Sequence, residues 1–153
     1  MEITLDTTGA DTGATPSTIY LKHDTGRYSD AEGTTTISTL TDIPTKSGLT
    51  FAGFYTGQNA SGTKIIDENG NILSGNLTFT SSPKTLYAHF GTPYTVAYSC
   101  GNDATGTPPA NATVISGTSF TPVTNTCSKT GHTFAGWAVS DTNDVKSAGS
   151  AFT

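Results

Sequence analysis

The chain has 153 residues, of which only 12% are charged, and its net charge of −5 comes from 12 acidic against 7 basic side chains. Charge spread so thinly, without a cluster of Lys or Arg, excludes a phosphate-tracking surface, so nucleic acid is not an expected partner. No stretch nears the ~18–20 apolar residues a helix needs to cross a bilayer. MEITLDTTGA carries neither the basic nor the apolar region of a secretion signal, so this segment is not expected to insert into a membrane.

Thr, Ser and Gly dominate, with runs such as Thr34-Thr35-Thr36. β-branched Thr suits a half-exposed strand, while Gly, Asn and Asp supply turns, so the chain reads as mainly β with little helix. The first strand is Ile3-Thr4-Leu5-Asp6, which alternates apolar and polar positions. Ser29-Asp30-Ala31-Glu32 resembles a helix start but meets Gly33 at once, leaving room for one turn. Thr50-Phe51-Ala52-Gly53-Phe54 follows. Asp67-Glu68-Asn69-Gly70-Asn71, set between Ile65-Ile66 and Ile72-Leu73, predicts a hairpin through its Asn-Gly pair. In Lys84–Phe90 strict alternation puts Leu86, Ala88 and Phe90 on one face of a closing strand and Thr85, Tyr87 and His89 on the other. Gly91-Thr92-Pro93 then marks a boundary, after which Tyr94–Tyr98 alternates again.

TFAGF at 50–54 returns as TFAGW at 133–137, and the register of 83 residues also pairs Lys46 with Lys129 and Gly48 with Gly131. Matching Ile3 to Val96 gives a spacing of 93, so the first copy holds ten extra residues, expected within 22–36. The repeat predicts two modules, 1–91 and 92–153. A closing strand of the second copy would fall near position 167, so that module is expected to be incomplete at its C-terminus and the chain to be a fragment. In a regular strand Phe51 and Phe54 would point to opposite faces, three residues being an odd step. Gly53 and Gly136 are therefore expected to permit a bulge that turns Phe51 with Phe54, and Phe134 with Trp137, into the packing.

The opening strand, Pro44-Thr45-Lys46-Ser47-Gly48-Leu49-Thr50-Phe51-Ala52-Gly53-Phe54-Tyr55-Thr56, and Thr85-Leu86-Tyr87-Ala88-His89-Phe90 together resemble the Listeria–Bacteroides repeat family, also called internalin-type B-repeats. The second copy matches through Lys129–Trp137. Leu49 and His132 stand where the family prefers Tyr, Phe54 and Phe90 where it prefers Trp, and Cys127 where the first copy has Pro44. The resemblance implies tandem β-grasp-like modules of bacterial cell-surface or secreted proteins, used as stalks and in attachment to a host or matrix protein or a glycan. It implies no catalysis and no cofactor.

In an exported protein, Cys100 and Cys127 within so small a module suggest a disulfide, with two free thiols as the alternative. Closing the 26 intervening residues would be worth about 3–4 kcal/mol in the loop-entropy account. Zinc fits poorly, since the spacing is wide and His132 is the only nearby histidine. Asp67, Asn69 and Asn71 alternate oxygens as a calcium loop does, but the Gly falls at the fourth position and no Glu follows at the twelfth, which favours a plain turn. His23, His89 and His132 are scattered, and Ser47, Ser61 and Ser128 sit in turns without a nucleophile-elbow context. Triplets at Asn59, Asn76 and Asn111 fit the glycosylation pattern, as chance allows in a Thr-rich chain. Tyr28, Tyr55 and Tyr87 are the candidate ligand-facing aromatics, which could stack on sugar rings and make the chain a carbohydrate-binding module. The competing reading has them capping the core. Loops 22–36 and 101–112, which differ between copies, are the expected places for any recognition.

Overall fold

Ile3 and Leu5 alternate with polar neighbours along β1 (Glu2–Asp6), and Ile19 and Leu21 do the same along β2 (Thr18–Lys22), so each strand buries one face. The computed structural model describes residues 1–23, 26–73, 77, 84–140 and 145–151. Among these the chain is all β, with no helix, and divides into units 1–92 and 93–153. The division lies one residue beyond the boundary expected from the repeat.

In the first unit β3 (Gly26–Tyr28), β4 (Thr50–Tyr55), β5 (Lys64–Ile66) and β6 (Thr85–Gly91) join β1 and β2 in one sheet of order β3-β2-β1-β6-β4-β5. Its centre is the parallel pair β1–β6, with Leu5 opposite Leu86, and every other pairing is antiparallel. The first and last strands thus lie side by side at the middle, as a β-grasp-like sheet requires. Among the described residues no helix covers the apolar face. Loops do so instead: Ala14, Leu40, Ile72 and Leu77 close over Ile3, Ile19, Phe54, Ile66 and Leu86. The bridges Thr12↔Thr45, Thr15↔Asp42 and Thr39↔Asn71 lace those loops together and satisfy backbone groups that would otherwise be stranded over the core.

The second unit repeats the two halves of this arrangement. β7 (Pro93–Val96) pairs with β9 (Ala112–Ile115), β8 (Thr105–Gly106) with β10 (Cys127–Ser128), and β11 (Trp137–Ala138) with β12 (Val145–Lys146), each pair antiparallel and each a separate two-stranded sheet. Register confirms the equivalence. Ile3↔Ile19 in the first hairpin corresponds to Val96↔Ala112 in the second, a spacing of 93 on both strands. The ten extra residues therefore fall after β2, where the first unit builds edge strand β3.

Ser29–Glu32 makes a turn rather than a helix. Asp30 ends it by accepting N–H bonds from Thr34 at 2.9 Å and Thr35 at 2.7 Å on its two carboxylate oxygens. The Asn69-Gly70 signal does mark a turn: the Asp67 N–H donates to the Asn71 carbonyl at 3.0 Å and the Leu73 N–H to that of Ile65 at 2.9 Å.

Candidate functional site

Two features of the repeated motif shape both units. Lys46–Leu49 closes a turn through the Leu49 N–H to Lys46 carbonyl bond at 3.1 Å, and Lys129–His132 closes the same turn at 3.0 Å. Its third residue needs positive φ, and Gly48 (+74°) and Gly131 (+76°) supply it. The second feature is the bulge. Phe51 lies opposite Phe90 and Gly53 opposite His89, so Ala52 is the extra residue and Gly53 takes φ +122°. That shift reverses the odd step, and both rings face inward at 6% (Phe51) and 0% (Phe54) exposure.

In the second unit Gly136 is likewise distorted, at φ +154°, and the Phe134 and Trp137 rings meet edge to face at 5.1 Å. Trp137 also packs on Tyr98 at 4.8 Å, and its Nε1 donates to the Val123 carbonyl at 2.9 Å. The setting differs, however. Phe134 is 39% exposed, and among the described residues of this unit only Pro122 is buried. The expectation that both rings pack is met in the first unit and only partly in the second. Phe51 has Phe90 of β6 against it at 5.6 Å, and no strand is seen in the equivalent place beside Phe134 among the described residues.

A cleft of about 760 Å³ lies in the second unit. It is lined by the segment 95–101 and by Phe134, Gly136, Trp137 and Ala138, among others. Cys100 and Cys127 line it and are joined by a disulfide with Cα atoms 5.5 Å apart. The cross-link ties the segment after β7 to β10, and Cys127 stands where Pro44 is fully buried in the first unit.

The remaining candidates fall elsewhere. Tyr28 (9% exposed) and Tyr55 (5%) are buried and Tyr87 is half-buried, so the three do not make an exposed platform. Tyr55 is covered by His89, at 6.1 Å between ring centroids, and by the Lys64 ammonium 5.6 Å from its ring. Lys64 in turn pairs with Glu68 at 3.2 Å. The Asp67 carboxylate is engaged within its own turn, accepting from the Asn69 and Asn71 amides at 2.9 and 2.8 Å and from Asn71 Nδ2 at 3.0 Å. Burial pushes its carboxyl upward, but these bonds outweigh it and hold the pKa below 3.8. His132 lies in the Lys129 turn, and Asn59 and Asn111 lie in a turn and just before β9. Asn76 and Thr78 of the middle triplet, and residues 24–25 of loop 22–36, lie outside the described residues.

A family model, that of the Listeria-Bacteroides repeat domain, matches the chain over residues 10–89 and again over 94–151. The chain belongs to the Listeria-Bacteroides repeat family. Repeats of this family are non-catalytic modules that occur in extracellular bacterial proteins. No curated protein and no solved structure shows significant similarity to the chain.

The packing of Tyr98 on Trp137 at the cleft escapes the sequence pattern, because the two residues lie far apart in the chain.

Proposed function

We propose that this chain is a spacer segment of a bacterial cell-surface or secreted protein, setting a binding partner at a distance and contributing to adhesion. The observation that carries the reading is the tandem itself: two repeats of one family follow each other with Thr92 alone between β6 and β7. A one-residue connection supports a spacer, because a short linker restricts the reach and freedom of what it joins. Burial of Tyr28 and Tyr55 weighs against the glycan-stacking alternative. Recognition of a host or matrix protein would then reside in loops such as 22–36 and 101–112.

Paired spin labels, one in each unit, test this reading. A spacer gives a narrow distance distribution that is insensitive to salt, and a broad distribution typical of independently tumbling modules would defeat it. Antibodies raised against the chain should label intact source cells, and labelling only after lysis would remove the surface assignment.

A further inference from the structure

We propose that the second unit associates with a second copy of this chain through the outer edge of β9, the two β9 strands pairing antiparallel about a two-fold axis at Thr113. This inference goes beyond the spacer reading and does not depend on it.

The first unit closes the corresponding edge with its own chain. There the Leu21 N–H donates to the Met1 carbonyl at 2.7 Å and the Leu5 N–H to that of Ser17 at 2.9 Å, so the odd-numbered residues of β2 turn their main chain toward β1. The main chain of Tyr20 and Lys22 faces the other way, and β3 takes it up through Tyr20↔Tyr28 and Lys22↔Gly26. At the spacing of 93, Tyr20 and Lys22 become Thr113 and Ile115. Pro93, which has no N–H to give, stands opposite Ile115 and fits this phase. Residues 115–119 then occupy the place that 22–36 fill in the first copy, too short a stretch to build a further strand. The chain turns at once instead, the Thr118 N–H closing on the Ile115 carbonyl at 3.1 Å. Among the described residues β9 therefore pairs with β7 alone, and its outer edge is open.

Two properties of that edge select a second copy as its occupant. The first is charge. An open edge is ordinarily guarded by charged side chains or proline, yet Ala112–Ile115 carries neither, and no charged residue lies anywhere from 104 to 128. Two chains of net charge −5 can meet here without setting like charges against each other. The second is self-complementarity. With Thr113 set opposite Thr113 of the second copy, Ala112 falls opposite Val114 and Asn111 opposite Ile115, on both sides of the axis. The outward N–H and C=O groups of Thr113 then exchange bonds, and the two threonine side chains form a cross-strand pair. Ala112 and Val114, on the same face as Val96, continue one apolar face across the join. The two hairpins become a single four-stranded sheet with an isologous contact at its centre.

Sedimentation of the full disulfide-bonded chain at rising concentration, in low salt, is the test. A reversible equilibrium between monomer and dimer is expected. The Thr113 side chain is exposed, so Thr113→Lys and Thr113→Glu should each leave the Trp137 emission unchanged. Each variant alone sets like charges opposite one another at the axis and should weaken dimerisation at least about tenfold. An equimolar mixture of the two should restore it, because Lys then faces Glu. A monomer at every concentration up to the solubility limit would leave the edge to a foreign strand and overturn the proposal. So would a dimer that Thr113→Lys fails to weaken, which places the contact elsewhere, or two folded variants that stay monomeric when mixed.

Discussion

Phe51 and Phe54 stand three residues apart on β4, yet their rings meet edge to face with centroids 5.3 Å apart on the same side of the sheet. Only the slip between Phe51 and Gly53 makes that contact available, since an unbroken strand sends such residues to opposite faces. The motif joins two large rings into the core, and the glycine between them is the device that does so.

Gly53→Ala should therefore be among the most damaging small changes in the chain. A Cβ there would lie 2.3 Å from the Ile66 carbonyl oxygen, a backbone atom of the neighbouring strand, and the residue would hold φ +122°. A loss of about 2–4 kcal/mol is expected. Gly48→Ala is the matched control. Its φ of +74° is also unfavourable to alanine, but no atom lies within 4 Å, so about 1 kcal/mol is expected. Urea unfolding followed by hydrogen exchange of the β1 and β6 amides ranks the two, and equal losses would show that strand contact at Gly53 does not matter.

Equivalent aromatic positions should not be energetically equivalent. Phe54 is fully buried, so Phe54→Ala should cost about 3–5 kcal/mol, a large fraction of what a small domain possesses. Trp137 at the same motif position is only partly buried, so Trp137→Ala should cost about 1–2 kcal/mol despite removing more atoms. Unfolding midpoints of each unit, read by hydrogen exchange, decide the matter. A larger loss at Trp137 would mean that the second unit has a closed core after all.

The contrast shows where the sequence is informative. Alternation marks β1 and β6, and the odd Phe51 to Phe54 step together with Gly53 calls for the bulge, because these are local steric statements. Thr18-Ile19-Tyr20-Leu21-Lys22 carries the same period-two signal but stays inconspicuous beside the repeated motif, and it proves to be β2. The insertion at 22–36 reads as a loop, and Gly26–Tyr28 within it becomes strand only because β2 offers an open edge. Tyr28 and Tyr55 owe their burial to neighbours distant in sequence, which no local pattern discloses.

Acid should weaken the first unit. Hydrogen bonds from the Thr34 amide, and then from Thr35, bring the Asp30 pKa from 3.8 down to about 2. Bonds from the Thr8 hydroxyl and amide lower Asp6, and Asp67 is also lowered. For a carboxyl whose folded value lies below its unfolded one, the stabilisation is complete above the unfolded value and is lost as pH falls through the folded value. Stability of residues 1–92 should thus be level above about pH 5 and fall between about pH 4 and pH 2. Asp30→Asn should flatten that slope, because Asn does not titrate, while its single side-chain oxygen can still accept from one of the two amides. An unchanged slope in the variant would locate the acid sensitivity in other groups.

Reduction should act on the other unit alone. Both cysteines lie in residues 93–153, and their disulfide closes a loop with a sequence separation of 27, worth about 3–4 kcal/mol of constraint on the unfolded chain. With Pro122 as its only buried residue among those described, the second unit has little apolar burial to set against the loss of chain entropy. The cross-link is therefore expected to be the larger part of its stability. Reductant, or Cys100→Ser with Cys127→Ser, should expose Trp137 and shift its emission to longer wavelength without denaturant, while hydrogen exchange of the β6 amides stays as slow as before. If Trp137 keeps its emission after both cysteines are reduced, packing of Tyr98, Phe134 and Trp137 holds the unit together without the cross-link. Parallel loss of protection in β6 would instead show that the two units unfold as one.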